Sequence, residues 1–267
     1  MQHREPDSPA KLIDELQGGG RYTLTRDEAM AALRISEAAL NKAVQRLVAR
    51  NRLAVPRRGF YVIVPIEYRQ AGAPPPDWYI GDLMAFSGRG YYVGLLSAAS
   101  LHGAAHQQPQ EFQVVTGGQL RPVAAGRGRI RFFRKRGMES TPVVDVKTET
   151  GMMRVSTPEA TALDLLRYLD AAGQLGHAAT VLAELAEKMD PARTVEAARL
   201  DGNLPNAQRL GFLLDLVGAG GVGGGLADWV AESRPRYLVL RSDRPSDDSP
   251  KDRRWRVLVN EKIEVEA

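Results

Sequence analysis

No cysteine occurs among the 267 residues. That excludes a disulfide framework, a thiolate zinc site and an iron–sulfur cluster, and it fits a reducing compartment. Long apolar runs are missing as well. The longest nearly uncharged stretch, Tyr91 to Leu101, is about half of the ~20 residues that a membrane-spanning helix needs. The opening residues MQHREPDSPA hold no apolar stretch that could serve as a signal peptide. A cytoplasmic chain with no membrane partner is therefore expected. No internal repeat and no heptad run long enough for a zipper is present. Nor is any Ser/His/Asp or paired-carboxylate arrangement legible, so no catalytic residue is assigned and no cofactor is implied.

What is present is ordinary in amount: 43% hydrophobic and 25% charged residues, enough to build a core and too little charge for disorder. The charge is unevenly placed. Residues 1–72 carry twelve Lys and Arg against eight Asp and Glu, an excess that equals the net charge of +4 for the whole chain. The sequence then breaks at 70–77, QAGAPPPD. Three consecutive prolines favour extended backbone and the small flanking residues offer little to bury, so this segment reads as a linker. The expected organisation is a front domain over 8–69, a linker over 70–77 and a second domain over 78–267.

The front part parses as three helices and a hairpin. Lys11–Gln17 is a short helix stopped by glycines. Thr25 with Glu28 three residues on forms a capping box, and Asp27 adds charge suited to a helix start. Ser36 caps a longer helix from Glu37 to about Asn51. Leu53–Val55 and Phe60–Val64 are two β-rich runs around a Pro56-Arg57-Arg58-Gly59 turn. This is the order of a winged helix-turn-helix. Behind 77, the strand-like runs Glu111–Thr116, Arg129–Phe133, Val143–Lys147 and Met152–Val155 precede a series of helices that starts at Thr157-Pro158. Strands followed by helices give an α+β fold, a larger mixed α/β domain with a helical C-terminal part.

On the third helix Leu40, Ala43, Val44 and Leu47 share one stripe that must face the core. The opposite side presents Ala38, Lys42, Gln45 and Ala49, flanked by Asn41 and Arg46, with no carboxylate after Glu37. Amides of that kind can pair with adenine and the cations with guanine in a major groove. Arg57 and Arg58 at the hairpin tip are placed to meet phosphates. A second basic run, Arg121–Arg136, holds seven cations and no acid. In an extended chain Arg127, Arg129 and Arg131 project from one face, and with Arg134, Lys135 and Arg136 they make a candidate polyanion patch. A charged edge that discourages aggregation is the competing reading.

Three enzyme-like signals are weaker. Gly218–Gly223 satisfies GxGxxG but follows an apparent helix, so it reads as a helix–helix connector. His102 and His106 stand four apart without a nearby acid or thiol, so no metal site is assigned. Asp145-x-Lys147 ends an apolar strand, which is half of a nuclease metal site. No further acid is evident in the neighbouring strands, and solvent-facing alternation is the plainer reading.

The winged helix ending in Arg58-Gly59-Phe60-Tyr61, the block Tyr91 to Gly103, the run Val155 to Asp164 and Gln208-Arg209-Leu210-Gly211 occur in an order that resembles the AbiEi family. That family comprises the antitoxins of type IV toxin–antitoxin, or abortive-infection, operons. The resemblance spans about residues 10 to 217 and implies a transcriptional autorepressor. Its front domain would bind inverted repeats in double-stranded DNA of its own promoter. Its second domain would counteract a co-encoded nucleotidyltransferase-like toxin without forming a stable complex with it. Operator contacts carried over by the resemblance are Thr25, Ser36, Asn41, Lys42, Gln45, Arg46, Arg57 and Arg58. Two alternatives stay open: an Asp-x-Lys-type metal-dependent nuclease targeted by the front domain, and a ligand-responsive transcriptional regulator.

Overall fold

Capping chemistry sets the front elements in the computed structural model, which describes residues 8–104 and 109–263. Helix α1 (Pro9–Gly18) starts on Ser8, whose hydroxyl accepts from the Lys11 amide. Strand β1 (Thr23–Thr25) runs into α2 (Arg26–Leu33) through a complete capping box. In it the Thr25 hydroxyl accepts from the Glu28 amide, and Glu28 Oε2 accepts from the Thr25 amide at 2.7 Å. Arg34 turns the chain in a left-handed conformation, φ 51°, and Ser36 caps α3 (Glu37–Ala49). Strands β2 (Leu53–Arg57) and β3 (Phe60–Ile63) close an antiparallel sheet of order β1-β3-β2. Its inner face joins the helices in one core: Leu12, Ile13, Leu24, Leu40, Leu47, Leu53, Tyr61 and Ile63.

The other face of this sheet is buried too. Ala54, Phe60, Val62 and Val64 belong to a second core that continues into the rest of the chain. Segment 70–77 accordingly does not run free. Ala73 and Pro74 are buried, the Ala71 carbonyl accepts from the Arg127 amide at 2.8 Å, and a 3-10 turn covers Pro76–Trp78. Small side chains let this backbone lie close against its neighbours, where composition alone pointed to an unpacked spacer. Trp78 stacks edge-on against Tyr22 and Tyr68, at 5.0 and 5.3 Å.

The body that follows starts with α4 (Ile80–Phe86), β4 (Tyr91–Val93), α5 (Leu95–Leu101), β5 (Phe112–Thr116), β6 (Val123–Ala125), β7 (Gly128–Arg134), β8 (Val143–Lys147) and β9 (Met152–Ser156). The strands form one mixed six-stranded sheet of order β6-β7-β5-β4-β9-β8. Five helices follow: α6 (Pro158–Arg167), α7 (Gln174–Ala186), α8 (Pro191–Asp201), α9 (Leu204–Leu216) and α10 (Gly224–Glu232). The fold is α+β, as the order of segments predicts. One face of the large sheet packs on α4 and the front sheet, the other on the helical layer.

A small three-stranded sheet, β10 (Leu238–Val239), β11 (Lys251–Asp252) and β12 (Val257–Leu258), completes the chain in the order β10-β12-β11. Helix α9 docks it. Gln208 Nε2 donates to the carbonyls of Arg236, Trp255 and Arg256, and Arg209 donates to those of Val239 and Leu240. Trp255 is fully buried, and its indole N–H donates to Asp215 at 2.6 Å. A Cβ on Gly211 would overlap the Trp255 ring, so glycine is required there for space. Two substitutions test this plug. Trp255→Ala should lose about 3–5 kcal/mol in urea unfolding, and Gly211→Ala at least ~1–3 kcal/mol through overpacking. A loss below ~0.5 kcal/mol in both, the size of an ordinary surface change, would show that the tail is not seated on α9.

Candidate nucleic-acid interface

Helix α3 divides as its spacing predicts. Leu40, Ala43 and Leu47 are buried, and Val44 is half-buried. Ala38, Asn41, Lys42, Gln45, Arg46 and Ala49 are all exposed. These six lie on one side of a 13-residue helix, with two amides and two cations held between small residues. Thr25 and Ser36 sit at helix starts, and both hydroxyls are engaged as caps. They position the ends of α2 and α3.

The two arginines of the hairpin separate. Arg58 is exposed at the turn. Arg57 is half-buried with its guanidinium 5.7 Å from the Phe132 ring centre, and its Nε and Nη2 are enclosed without a partner. The cause is the docking of β2 beside the large sheet, which the sequence does not announce. The structure thus brings Asn41, Lys42, Gln45 and Arg46 together on α3, leaves Arg58 at the turn, and turns Arg57 toward the junction.

Along β7 the alternation holds as far as Phe132 and breaks at buried Phe133 and exposed Arg134. Arg129, Arg131 and Arg134 are exposed while Ile130 and Phe132 are buried, and Arg127 and Arg136 flank the strand in the open. Arg131 lies 5.1 Å from the Phe133 ring centre and within 3.6 Å of Glu111. Lys135 departs from this row. It is 3% exposed, with Nζ 3.0 Å from Asp164 and 2.9 Å from Asp201. The face of β7 that presents Arg129 and Arg131 runs beneath the helical layer at Phe133 and Lys135, so the last cation is spent internally.

The surrounding network is compact. Tyr92 donates to Asp164 at 2.8 Å, and Arg167 reaches both oxygens of Asp201 at 2.8 Å. Three donors, from β4, the end of β7 and α6, thereby meet two carboxylates, one on α6 and one on α8. Burial pushes the Asp164 carboxyl up from its ordinary value, while Lys135 and the Tyr92 hydroxyl pull it down. Burial, with Asp164 adding, raises Tyr92. No spacing rule in the sequence connects these residues; the one cue is an aspartate inside the apolar run Ala160–Leu166.

Other sequence signals resolve plainly. Asp145 and Lys147 are exposed on edge strand β8, with Arg154 opposite Asp145. Among the described residues no group of three His, Asp or Glu could hold a metal. His102 Nε2 contacts the Ser156 carbonyl at 2.7 Å, and His106 lies outside the described residues. Gly218–Gly223 joins α9 to α10, a connector between helices.

Removing Lys135 should expose the cost of the two acids. Lys135→Met is expected to destabilise by about 3–5 kcal/mol, because it strands buried charge. The loss should grow with pH. Without the lysine the folded Asp164 binds its proton more tightly than the unfolded chain does, so stability falls as pH rises through that raised value. Urea midpoints from pH 5 to 8 check this; a loss independent of pH would contradict it.

Comparison with known proteins places this body. Residues 92–216 match the model of the AbiEi antitoxin C-terminal domain. No curated protein matches the chain. Among solved structures the fold is similar to the crystal structure of the RV2827C protein from Mycobacterium tuberculosis, with a TM-score of 0.68 and 17% identity over 95% of this chain and 92% of that one. An identity that low speaks for a shared fold alone. The matched span holds Tyr92, Lys135, Asp164 and Asp201 of the buried network, and also Gly211, the seat of Trp255. Residues 92–216, a little under half of the chain, are thus similar to the AbiEi antitoxin C-terminal domain.

Proposed function

We propose that this chain is an antitoxin and a DNA-binding autorepressor, with a front domain that is a winged helix-turn-helix reading inverted repeats in its own promoter. The observation that carries the proposal is the exposed side of α3, where Asn41, Lys42, Gln45 and Arg46 stand together. In a winged helix the third helix enters the major groove while the hairpin turn meets the backbone. Arg58 occupies that turn here. The helix order and the β1-β3-β2 sheet support this assignment. In this reading Thr25 and Ser36 lie at helix starts beside the backbone, where a capped N-terminus favours phosphate. Arg127, Arg129, Arg131, Arg134 and Arg136 form a further surface for the flanking backbone. The toxin it counteracts is a co-encoded nucleotidyltransferase-like enzyme of a type IV operon, neutralised in the cytoplasm without a stable complex.

The side chains divide by role, and that division is testable. With duplex from the chain's own upstream region, log affinity should fall against log salt by about 0.9 per phosphate contacted. Arg58→Ala should flatten the slope by about one unit and leave sequence preference unchanged. Gln45→Ala should instead cost about 1–3 kcal/mol of discrimination against altered sites, with the slope preserved. Equal affinity of the parent chain for upstream and scrambled duplexes would remove the repressor reading.

A further inference from the structure

Glu37 opens α3 and is the one carboxylate on that helix. Left alone, it would repel a phosphate backbone brought to that helix. The structure pairs it: Arg26 Nη1 contacts Glu37 Oε1. The same guanidinium lies against the hairpin turn, where a Cβ on Gly59 would stand 3.1 Å from Nη2 and 3.4 Å from Nε. Gly59 has φ 83°, a left-handed conformation that glycine adopts without strain. The Arg26 amide also donates to the Gly59 carbonyl at 2.8 Å. One residue at the start of α2 therefore touches both the first residue of α3 and the turn that carries Arg58. Buried Tyr61 lies close enough to feel both charges of the pair.

We infer that Arg26 is a positioning residue of the DNA-reading surface: it neutralises Glu37 and clasps the Gly59 turn, so that α3 and Arg58 meet one duplex in a fixed relation. The inference rests on the DNA-reading role proposed above. Arginine suits the task because its planar fork can face a carboxylate and a peptide turn at once, which a lysine ammonium cannot do.

Four forms of the full chain test it: the parent, Arg26→Ala, Glu37→Gln, and the double variant. Binding to upstream duplex is read by anisotropy, and amide hydrogen exchange over 57–61 is read without DNA. Arg26→Ala should weaken binding about tenfold, on the scale of one disrupted charge relation, and should accelerate exchange at the turn. Adding Glu37→Gln should recover most of the binding while exchange stays fast, since the repulsion is gone but the clasp is not restored. If Glu37→Gln recovers nothing and the salt slope drops by about one unit in Arg26→Ala, the arginine touches phosphate itself and the inference is overturned. Unchanged exchange at the turn would overturn it equally. Failure of the parent chain to bind upstream DNA would sink the repressor reading, while the exchange data would still decide whether Arg26 holds the turn.

Discussion

Phe60 and Val62 leave β3 on one side, Tyr61 and Ile63 on the other, and all four are buried. A sheet of three short strands that is apolar on both faces cannot expose either to water without leaving a large hydrophobic patch. Helices α1 to α3 cover one face, and the other packs against the six-stranded sheet in a shared core. At roughly 1.5–3 kcal/mol for each large apolar side chain removed from water, this burial outweighs any gain in freedom from undocking. The rest of the arrangement follows. Trp78 is held between Tyr22 and Tyr68, Thr23 donates to Asp82, and Arg57 is turned over Phe132. The exposed side of α3 is thereby set in a fixed relation to the arginine row of β7.

Much of this was legible in the sequence, for local reasons. Capping residues and apolar spacing marked α2, α3 and α6, because a helix start and a buried stripe are properties of neighbouring residues. Alternation identified Arg129 and Arg131 as outward and Ile130 and Phe132 as inward. Strand β1 leaves no sequence signal because Thr23–Thr25 is three residues long and merges into a capping box. The packed course of 70–77 leaves none because prolines and small residues describe backbone shape and not what lies beside it. Arg57 and Lys135 look like surface cations in the sequence for a similar reason. Nothing local distinguishes an exposed arginine from one laid over a phenylalanine 75 positions away, or a surface lysine from one facing acids on two later helices.

The antitoxin-like domain keeps its polar chemistry inside. Lys135, Arg167, Asp164 and Asp201 balance in charge, and the Tyr92 hydroxyl completes the set. Such a network contributes less to net stability than its distances suggest, since each charge gave up water to enter it. Its consequence is geometric: the end of β7, α6 and α8 are held in one register. The Gln208-Arg209-Leu210-Gly211 stretch acts likewise on the tail, with hydrogen bonds to carbonyls of 236–256 and a glycine that leaves room for Trp255.

The central claim is that the exposed side of α3 enters a groove of the chain's own upstream DNA. Because the chain contains no cysteine, a single Gln45→Cys variant can carry an iron chelate that cleaves nearby strands. The account predicts cuts clustered within inverted repeats of the upstream duplex, and none above background from the same label at Val144 on edge strand β8. Uniform cleavage from position 45, or equal cleavage from both positions, would contradict it.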